Sequence, residues 1–516
     1  MSRVRIAALT ASFYYIQYGL AIASGLILVP LTIAAVGARS YGLWLATGEL
    51  LGYAGMVDLG VLGVLPWMVA EADGRRDRAR LRELVANGFA VGLVVGLGYA
   101  AVAGLLWTLV PAAINVPAGD RSSLAKPLLL LVAVTAAAYP LRTFTALLNG
   151  LQDALFNGML GVAQSAAYFL VAAVGLTRGW GLYALALASA ASTMVAVGSS
   201  LVRTFVTAPD LLRGWPRPHA ATIRFLLSNG IGVWIGGFGW RLVAASTSMV
   251  IALVGRTEWV AIYACTSKLS AVSTQLAWVL PDSGLIGLSQ LHGEGRPPSR
   301  VRGVVMMILR LHLVLAGTTA CAVLAFNPAF VTAWVGGGYY GGTALNVWLA
   351  AGIVASSLVH ALVTTASVLG NRLKVGAATL ANGVVQTARA FLFGAWWALG
   401  GIAAASVLAA LATSAPAGLA LLKASTGMSF RMFWQELLSP WLQRMAPAAL
   451  VCAGAGILVR DAGPIAAGAV TSVCLGGCFW AVRPLLSGLP LNEQWTRRLV
   501  RARVLPGPAA IAAEPS

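Results

Sequence analysis

The sequence predicts an all-α polytopic membrane protein with about 14 transmembrane helices. Its expected architecture is two six-helix lobes in parallel repeat around a central cavity, with two extra C-terminal helices. Three observations predict this. Of the 516 residues, 59% are hydrophobic and only 10% charged, and the mean hydropathy is +0.82; soluble domains carry about 25% charged residues. Apolar runs of roughly 20 residues, enough to cross a hydrocarbon core, recur from end to end. Features of the first half also return one half-chain later.

The apolar runs place spans at roughly 10–37, 42–69, 86–112, 126–149, 157–177, 180–202, 225–253, 259–287, 303–326, 343–369, 375–396, 400–422, 445–459 and 464–482. The basic N-terminus resembles a signal peptide, but the uncharged run from Ile6 to Ala38 far exceeds an h-region of about 7–15 residues, so it reads as a retained first helix. The stretch from Ser24 to Gly60 organises the rest. Its first arm ends at Val36-Gly37, Ala38 to Tyr41 form the connection, and the second arm starts with Gly42-Leu43-Trp44. It reads as a hairpin of two helices, because each segment in lipid must satisfy its own backbone hydrogen bonds. Pro30 is a candidate bend in the first arm.

The expected organisation is an N-lobe at 1–205, a cytoplasmic linker at 206–224 containing Pro209, Pro216 and Pro218, and a C-lobe at 225–424. An amphipathic cytoplasmic connection at 425–444 suits the membrane surface; helices 13 and 14 occupy 445–483, and a cytoplasmic tail covers 484–516. The tail after Pro506 has a disordered composition. The largest outside loop is Asn327 to Gly342, glycine-rich, aromatic and uncharged.

The net charge of +19 does not imply nucleic acid, because the basic residues sit in short loops. With the N-terminus inside, the cytoplasmic segments hold 24 Lys and Arg and the outside loops hold 6, which directs both termini to the cytoplasm. The five cysteines, Cys265, Cys321, Cys452, Cys474 and Cys478, all lie in apolar runs. They show neither a disulfide framework nor metal-ligand spacing, and no cofactor is expected.

The repeat rests on four correspondences. Val36-Gly37 with Tyr41 returns as Val254-Gly255 with Trp259, and Asp73-Gly74-Arg75 returns as Glu294-Gly295-Arg296. Gly150 matches Gly370, and Gln164-Ser165 echoes Gln386-Thr387. Six spans separate corresponding points. An even number gives both lobes one topology, related by an axis along the membrane normal, which suits a cavity between lobes and alternating access.

Leu28-Val29-Pro30-Leu31, Val36-Gly37 followed by Tyr41-Gly42-Leu43-Trp44, and Asp58-Leu59-Gly60 carry a family likeness. So do the basic loop Asp73 to Arg82 and the turn Leu148-Asn149-Gly150-Leu151-Gln152. In these the chain resembles bacterial polysaccharide and O-antigen flippases of the multidrug/oligosaccharidyl-lipid/polysaccharide exporter superfamily. The resemblance implies a flippase that moves an undecaprenyl-diphosphate-linked oligosaccharide across the bacterial cytoplasmic (inner) membrane. The product would feed O-antigen, capsule or exopolysaccharide assembly. Implied partners are the polyprenyl-diphosphate-linked glycan, membrane lipids, a polysaccharide polymerase and other assembly proteins.

Five cations lie inside spans: Arg142, Arg241, Lys268, Arg310 and Arg389. Three acids accompany them: Glu49, Asp58 and Asp282. Unpaired charge in the membrane costs several kcal/mol, so the excess cations are expected to face water, backbone or an anionic ligand. A diphosphate fits, because guanidinium groups bind phosphate oxygens in bidentate fashion. Arg241 and Arg389 lead as cavity residues, followed by Lys268. Arg310 also admits snorkelling, and Arg142 a contact with the loop around Asp153. Asp58 and Glu49 are candidate counter-charges or coupling groups, or structural partners of neighbouring helices. Asp282, after Pro281, reads as a helix break or cap. His312 and His360 read as helix-contact residues, because no carboxylate is spaced to orient them. Tyr14, Tyr15, Tyr18, Trp234 and Trp240 admit sugar stacking or ordinary packing.

A cation-coupled multidrug exporter is the runner-up. The resemblance would then imply an acid in the first helix, and residues 6–38 contain none. A membrane polymerase or ligase would need catalytic groups at the outer face. The longest outside loop carries no charge, and no catalytic triad, nucleotide-phosphate loop or metal cluster is evident, so the chain reads as a non-enzyme.

Overall fold

The computed structural model describes residues 3–113, 118–214, 216–282, 284–294, 296–370, 372–460 and 462–486. Every regular element among them is helical. The chain is a multi-pass membrane protein: among the described residues ten helices are long and apolar enough to span a bilayer, or up to eleven if a bent pair counts as one span. The fourteen expected spans are not separately resolved as such helices. Spans one and two fall in one helical stretch, as do spans eleven and twelve. The tail beyond residue 486, including the Pro/Ala-rich end, lies outside the described residues.

The chain divides into two compact units, 1–261 and 262–516. The dividing point follows the helix at 247–254. The first unit contains α1 (Arg3–Ala54), α2 (Val61–Gly74), α3 (Arg78–Ala113), α4 (Ala118–Gly150), α5 (Ala154–Thr177), α6 (Leu182–Thr207), α7 (Ala220–Ala245) and α8 (Thr247–Val254). Helix α9 (Thr257–Asp282) leads into the second unit. That unit holds α10 (Gly284–Gly293), α11 (Pro298–Val335), α12 (Gly342–Val368), α13 (Arg372–Ala412), α14 (Ser414–Thr426), α15 (Phe430–Phe433), α16 (Ser439–Leu458) and α17 (Pro464–Val482).

In the first unit the expected four-residue connection contracts to one residue. Helix α1 breaks only at Gly37, where φ is 79° and ψ 160°. That conformation is open to glycine and costly for residues with a Cβ. Gly255 differs, with φ −125°, so the sequence match there is not a match of backbone conformation. The two repeat-related turns nevertheless meet: Arg39 Nη1 lies 3.8 Å from Glu258 Oε1, and Gly42 gives the Thr257 backbone room to approach.

The second arm of the hairpin is interrupted near its middle. A 3-10 turn, Gly55–Asp58, leads into left-handed Leu59 and Gly60 (φ 49° and 76°) before α2 begins. A Cβ on either Gly60 or Gly230 would collide with the other's backbone, so glycine at both positions lets α7 cross this turn. Val61, Leu65, Leu81, Leu84 and Leu147 are fully buried beneath it. Val94, Leu97 and Leu129 stay 68–76% exposed, as expected of a lipid-facing surface.

The second unit is built around α11, whose most apolar window is 61% buried, more than any other candidate span. Helices α12, α16 and α17 pack on it. Gly456 lets α16 approach the α11 backbone at Leu324, while Trp441 donates its Nε1–H to Leu313 O at 2.8 Å. Phe433, Leu437, Trp441 and Met445 form one buried stripe opposite exposed Phe430 and Trp434, and the 425–444 connection runs into α16 through a π turn. The expected loop Asn327–Gly342 is also mostly helical, because α11 continues to Val335. Asn327 Nδ2 holds that end by donating to Thr266 O and Asn346 Oδ1, both at 2.9 Å. Helix α13 turns on itself at Trp397 and Ala398 (φ 48°), with Gly401 seated against the Phe393 carbonyl.

Candidate functional site

The first unit gathers Glu49 and Arg241 at the break between α7 and α8, where the two helices bend by 48°. The break exposes helix-terminal N–H groups inside the membrane, and they need acceptors. Ser246, at the junction, makes no side-chain cap to α8, and its hydroxyl donates back to Leu242 O at 2.6 Å. The carboxylate of Glu49, reaching from α1, accepts the Met249 N–H instead at 3.0 Å. Arg241 does not pair with that carboxylate within 4 Å. Its Nη2 donates to the Glu49 backbone carbonyl at 3.4 Å, and its guanidinium lies 5.9 Å from the Tyr53 ring centroid. Arg241 Nε is buried without a hydrogen-bond partner among the described residues. Gly52 makes the arrangement possible, since a Cβ there would occupy the guanidinium's position.

The Gly55–Gly60 turn forms a second constellation in the same unit. Asp58 Oδ1 accepts the Gly60 N–H at 3.0 Å. Trp234 Nε1 donates to Met56 O at 2.7 Å and Tyr139 Oη to Gly55 O at 3.2 Å, which ties α7 and α4 to carbonyls freed by the turn. Arg142 lies 4.5 Å from the Tyr139 ring centroid, a cation–π contact, within electrostatic reach of Asp58. Its expected contact with Asp153 is not made. Asp153 is held by Arg203, with both guanidinium contacts at 2.9 Å, and caps α5 through the Phe156 N–H. Of the aromatic candidates, Trp234 stacks on Phe238 at 5.2 Å and Trp240 is 52% exposed. The Tyr14 and Tyr15 side chains lie outside the described residues.

In the second unit, Lys268, Arg310 and Arg389 are each half-buried on α9, α11 and α13. None has a carboxylate within 4 Å among the described residues. Arg310 Nη2 approaches the Glu436 backbone carbonyl at 3.5 Å. Asp282 is the last residue of α9, as a helix break requires, but its carboxylate is engaged elsewhere. It meets His360 at 3.0 Å and His312 at 3.4 Å, so both histidines have the carboxylate that linear spacing did not provide. They belong to separate helices, and no local motif marks them. The cysteines show the same effect: Cys321, Cys452 and Cys478 come from α11, α16 and α17, and their sulfurs lie within 4.8 Å of one another.

A cavity of about 450 Å³ lies in the first unit among α1, α3 and α4. Leu51, Leu106, Trp107, Leu129 and Val132 line it, and Lys126 is its only charged wall residue among the described residues. This chemistry suits an aliphatic chain, and the candidate cations lie elsewhere.

No family model and no curated protein matches this sequence. Solved structures do match. An inward-facing multidrug resistance MATE family transporter of the MOP superfamily superposes with a TM-score of 0.61 at 15% identity, over 80% of this chain and 96% of that one. The lipid II flippase MurJ, in its inward closed conformation, gives 0.63 at 12% identity, over 88% and 97%. The chain shares the fold of these two proteins. A third match, a MOP superfamily transporter from Pyrococcus furiosus, gives 0.55 at 16% identity over 82% and 95%; the polarity of its binding pocket is described as reversed, suggesting a different function for that protein. Within the MOP fold shared here, the Glu49–Arg241 and Asp58–Arg142 constellations are built from this chain's own helix breaks.

Proposed function

We propose that this chain is a transporter that flips an undecaprenyl-diphosphate-linked oligosaccharide across the bacterial cytoplasmic membrane by alternating access, for surface polysaccharide assembly. The carrying observation is that Arg142, Arg241, Lys268, Arg310 and Arg389 are half-buried without a carboxylate within 4 Å among the described residues. Such groups suit a multiply charged anion, because diphosphate oxygens accept charge-assisted hydrogen bonds from guanidinium and ammonium groups. Arg241 and Arg389 act first in this scheme, with Lys268, Arg142 and Arg310 supporting, and Glu49 and Asp58 as longer-range counter-charges. The fold shared with a lipid II flippase supports the same substrate class.

Replacing Arg241 and Arg389 together with Ala should abolish surface polysaccharide while leaving the protein in the membrane. Normal export by that double variant would remove the site assignment. The comparable likeness to a MATE transporter favours one competing reading, a cation-coupled multidrug exporter. Ion-gradient-driven efflux of an organic cation from vesicles, without movement of a fluorescent polyprenyl-diphosphate glycan, would select that reading.

A further inference from the structure

Three side chains from three helices of the second unit converge outside the cation set. Asp282 ends α9, His312 lies within α11, and His360 lies within α12. His360 Nε2 sits 3.1 and 3.0 Å from the two Asp282 oxygens. Its ring stacks on Trp278 at 3.9 Å with planes 2° apart, and Trp278 Nε1 donates to Ser357 Oγ at 3.0 Å. This arrangement fixes the His360 ring plane.

His312 is fully buried, and its Nδ1 lies 2.9 Å from the Ile308 carbonyl, which requires the proton on Nδ1. Nε2 then faces Asp282 Oδ1, 3.4 Å away, and has no hydrogen-bond partner among the described residues. An electropositive guest between the two would take both as ligands once Nε2 is unprotonated. A second-sphere carbonyl that fixes the Nδ1–H tautomer is also what a metal-ligating histidine uses.

We propose that Asp282, His312 and His360 form a binding site for a divalent transition-metal ion, with Zn²⁺ the best geometric fit. Tetrahedral Zn²⁺ holds N and O ligands at about 2.0–2.1 Å, which places neighbouring ligand atoms about 3.3 Å apart. The Asp–His distances of 3.0–3.4 Å already match that edge, and all the ligating atoms lie within 4.8 Å of one another. Two neutral imidazoles and one carboxylate suit a borderline ion better than Ca²⁺ or Mg²⁺, which take oxygen ligands. Side-chain exposures of 33% for Asp282 and 20% for His360 provide access and leave a fourth position open. The ion joins α9, α11 and α12, so it stabilises one arrangement of these helices. The site is independent of the substrate assigned to the transporter.

The test uses the full-length protein in detergent, purified through a tag without histidine and equilibrated with Zn²⁺ alone at about pH 7.5, where histidine is mostly neutral. Elemental analysis should find one Zn²⁺ per chain, and Zn²⁺ should raise the unfolding temperature. Asp282→Asn and His360→Gln should each weaken binding by at least about tenfold, the lower range seen for disturbing a metal's surroundings. Cys452→Ser should leave binding unchanged. If His360→Gln does not fold, the near-isosteric Asp282→Asn carries the test. Absence of stoichiometric Zn²⁺ would overturn the proposal. So would binding that survives Asp282→Asn and is lost in Cys452→Ser, because the ion would then belong to the cysteine trio.

Discussion

The carboxylate of Glu49, carried on α1, accepts the backbone N–H of Met249 at 3.0 Å and thereby caps the half-helix α8. An acidic group inside the membrane thus has a structural task, since the helix break leaves N–H groups that lipid cannot satisfy. Replacing a capping acceptor by Ala typically costs about 1 kcal/mol. Glu49→Ala should lower unfolding stability in detergent by about that amount or somewhat more. Glu49→Gln keeps an acceptor oxygen and should lose less, with the remaining deficit arising from the lost charge near the helix N-terminus. Unchanged stability in Glu49→Ala would remove the capping role.

Gly52 is tied to Arg241 by space alone. Any Cβ at position 52 lands on the guanidinium. Gly52→Ala should therefore displace Arg241 from the α7–α8 break without removing its charge. In a complementation assay, surface polysaccharide should fall toward the level of Arg241→Ala, with membrane protein abundance retained. Wild-type export in Gly52→Ala would show that the position of Arg241 is immaterial.

The crossing of the Gly55–Gly60 turn by α7 predicts a different outcome. Gly60 is left-handed (φ 76°) and in backbone contact with Gly230. Gly60→Ala adds about 1–2 kcal/mol of conformational strain to the steric clash. Gly230→Ala adds only the clash. Both should reduce the yield of monodisperse protein, Gly60→Ala more severely. Asp58→Ala, which removes one acceptor for the Gly60 N–H, should be milder, at about 1 kcal/mol.

The buried amide pair Asn327–Asn346 offers a test within the second unit. Asn327→Leu removes the donor to both Thr266 O and Asn346 Oδ1, leaving buried acceptors unpaired at a cost of about 1–3 kcal/mol. The double variant Asn327→Leu/Asn346→Leu should recover part of the loss, because both amides are then absent. A strictly additive double-variant cycle, measured by unfolding, would show that the pair is not energetically coupled.

The membrane class and two of the breaks were legible because lipid imposes local rules, whereas the Gly55–Gly60 turn and the α7–α8 break fall inside single expected spans and were not. Long apolar runs must be helical, and Gly37 and the Trp397–Ala398 region fall where two runs meet without room for a loop. The hairpin connection read longer than it is, because Ala38 to Tyr41 can be helical as soon as one glycine has redirected the chain. Asn327–Gly342 read as a loop because it is rich in glycine and aromatics. Its first half is helix, anchored by Asn327 to residues 61 positions earlier and 19 later, which no local window contains. The Asp282–His312–His360 and Cys321–Cys452–Cys478 clusters were invisible for the same reason: every member lies on a different helix. Glu49 and Asp58 stood out as unusual charges, but their backbone acceptor roles depend on where α8 and α2 begin.

Arg310 and Arg389 share charge and half-burial but differ in surroundings, so they should separate experimentally. Arg310 Nη2 approaches the Glu436 carbonyl at 3.5 Å, in the π turn that leads into α16. Its Nε is buried, so truncation removes packing as well as charge. Arg310→Ala should therefore lower stability and affect export mainly through protein abundance, and Arg310→Met should restore much of the abundance. For Arg389, ligand binding requires a cation with a particular hydrogen-bonding fork. Arg389→Ala should leave stability nearly unchanged while reducing export per molecule, and Arg389→Lys should recover export only in part because Lys cannot bind a phosphate in bidentate fashion. Export normalised to membrane abundance is the deciding measurement. Equal losses per molecule in the two Ala variants would place Arg310 beside Arg389 at the anion; full activity of Arg389→Ala would remove it from that role.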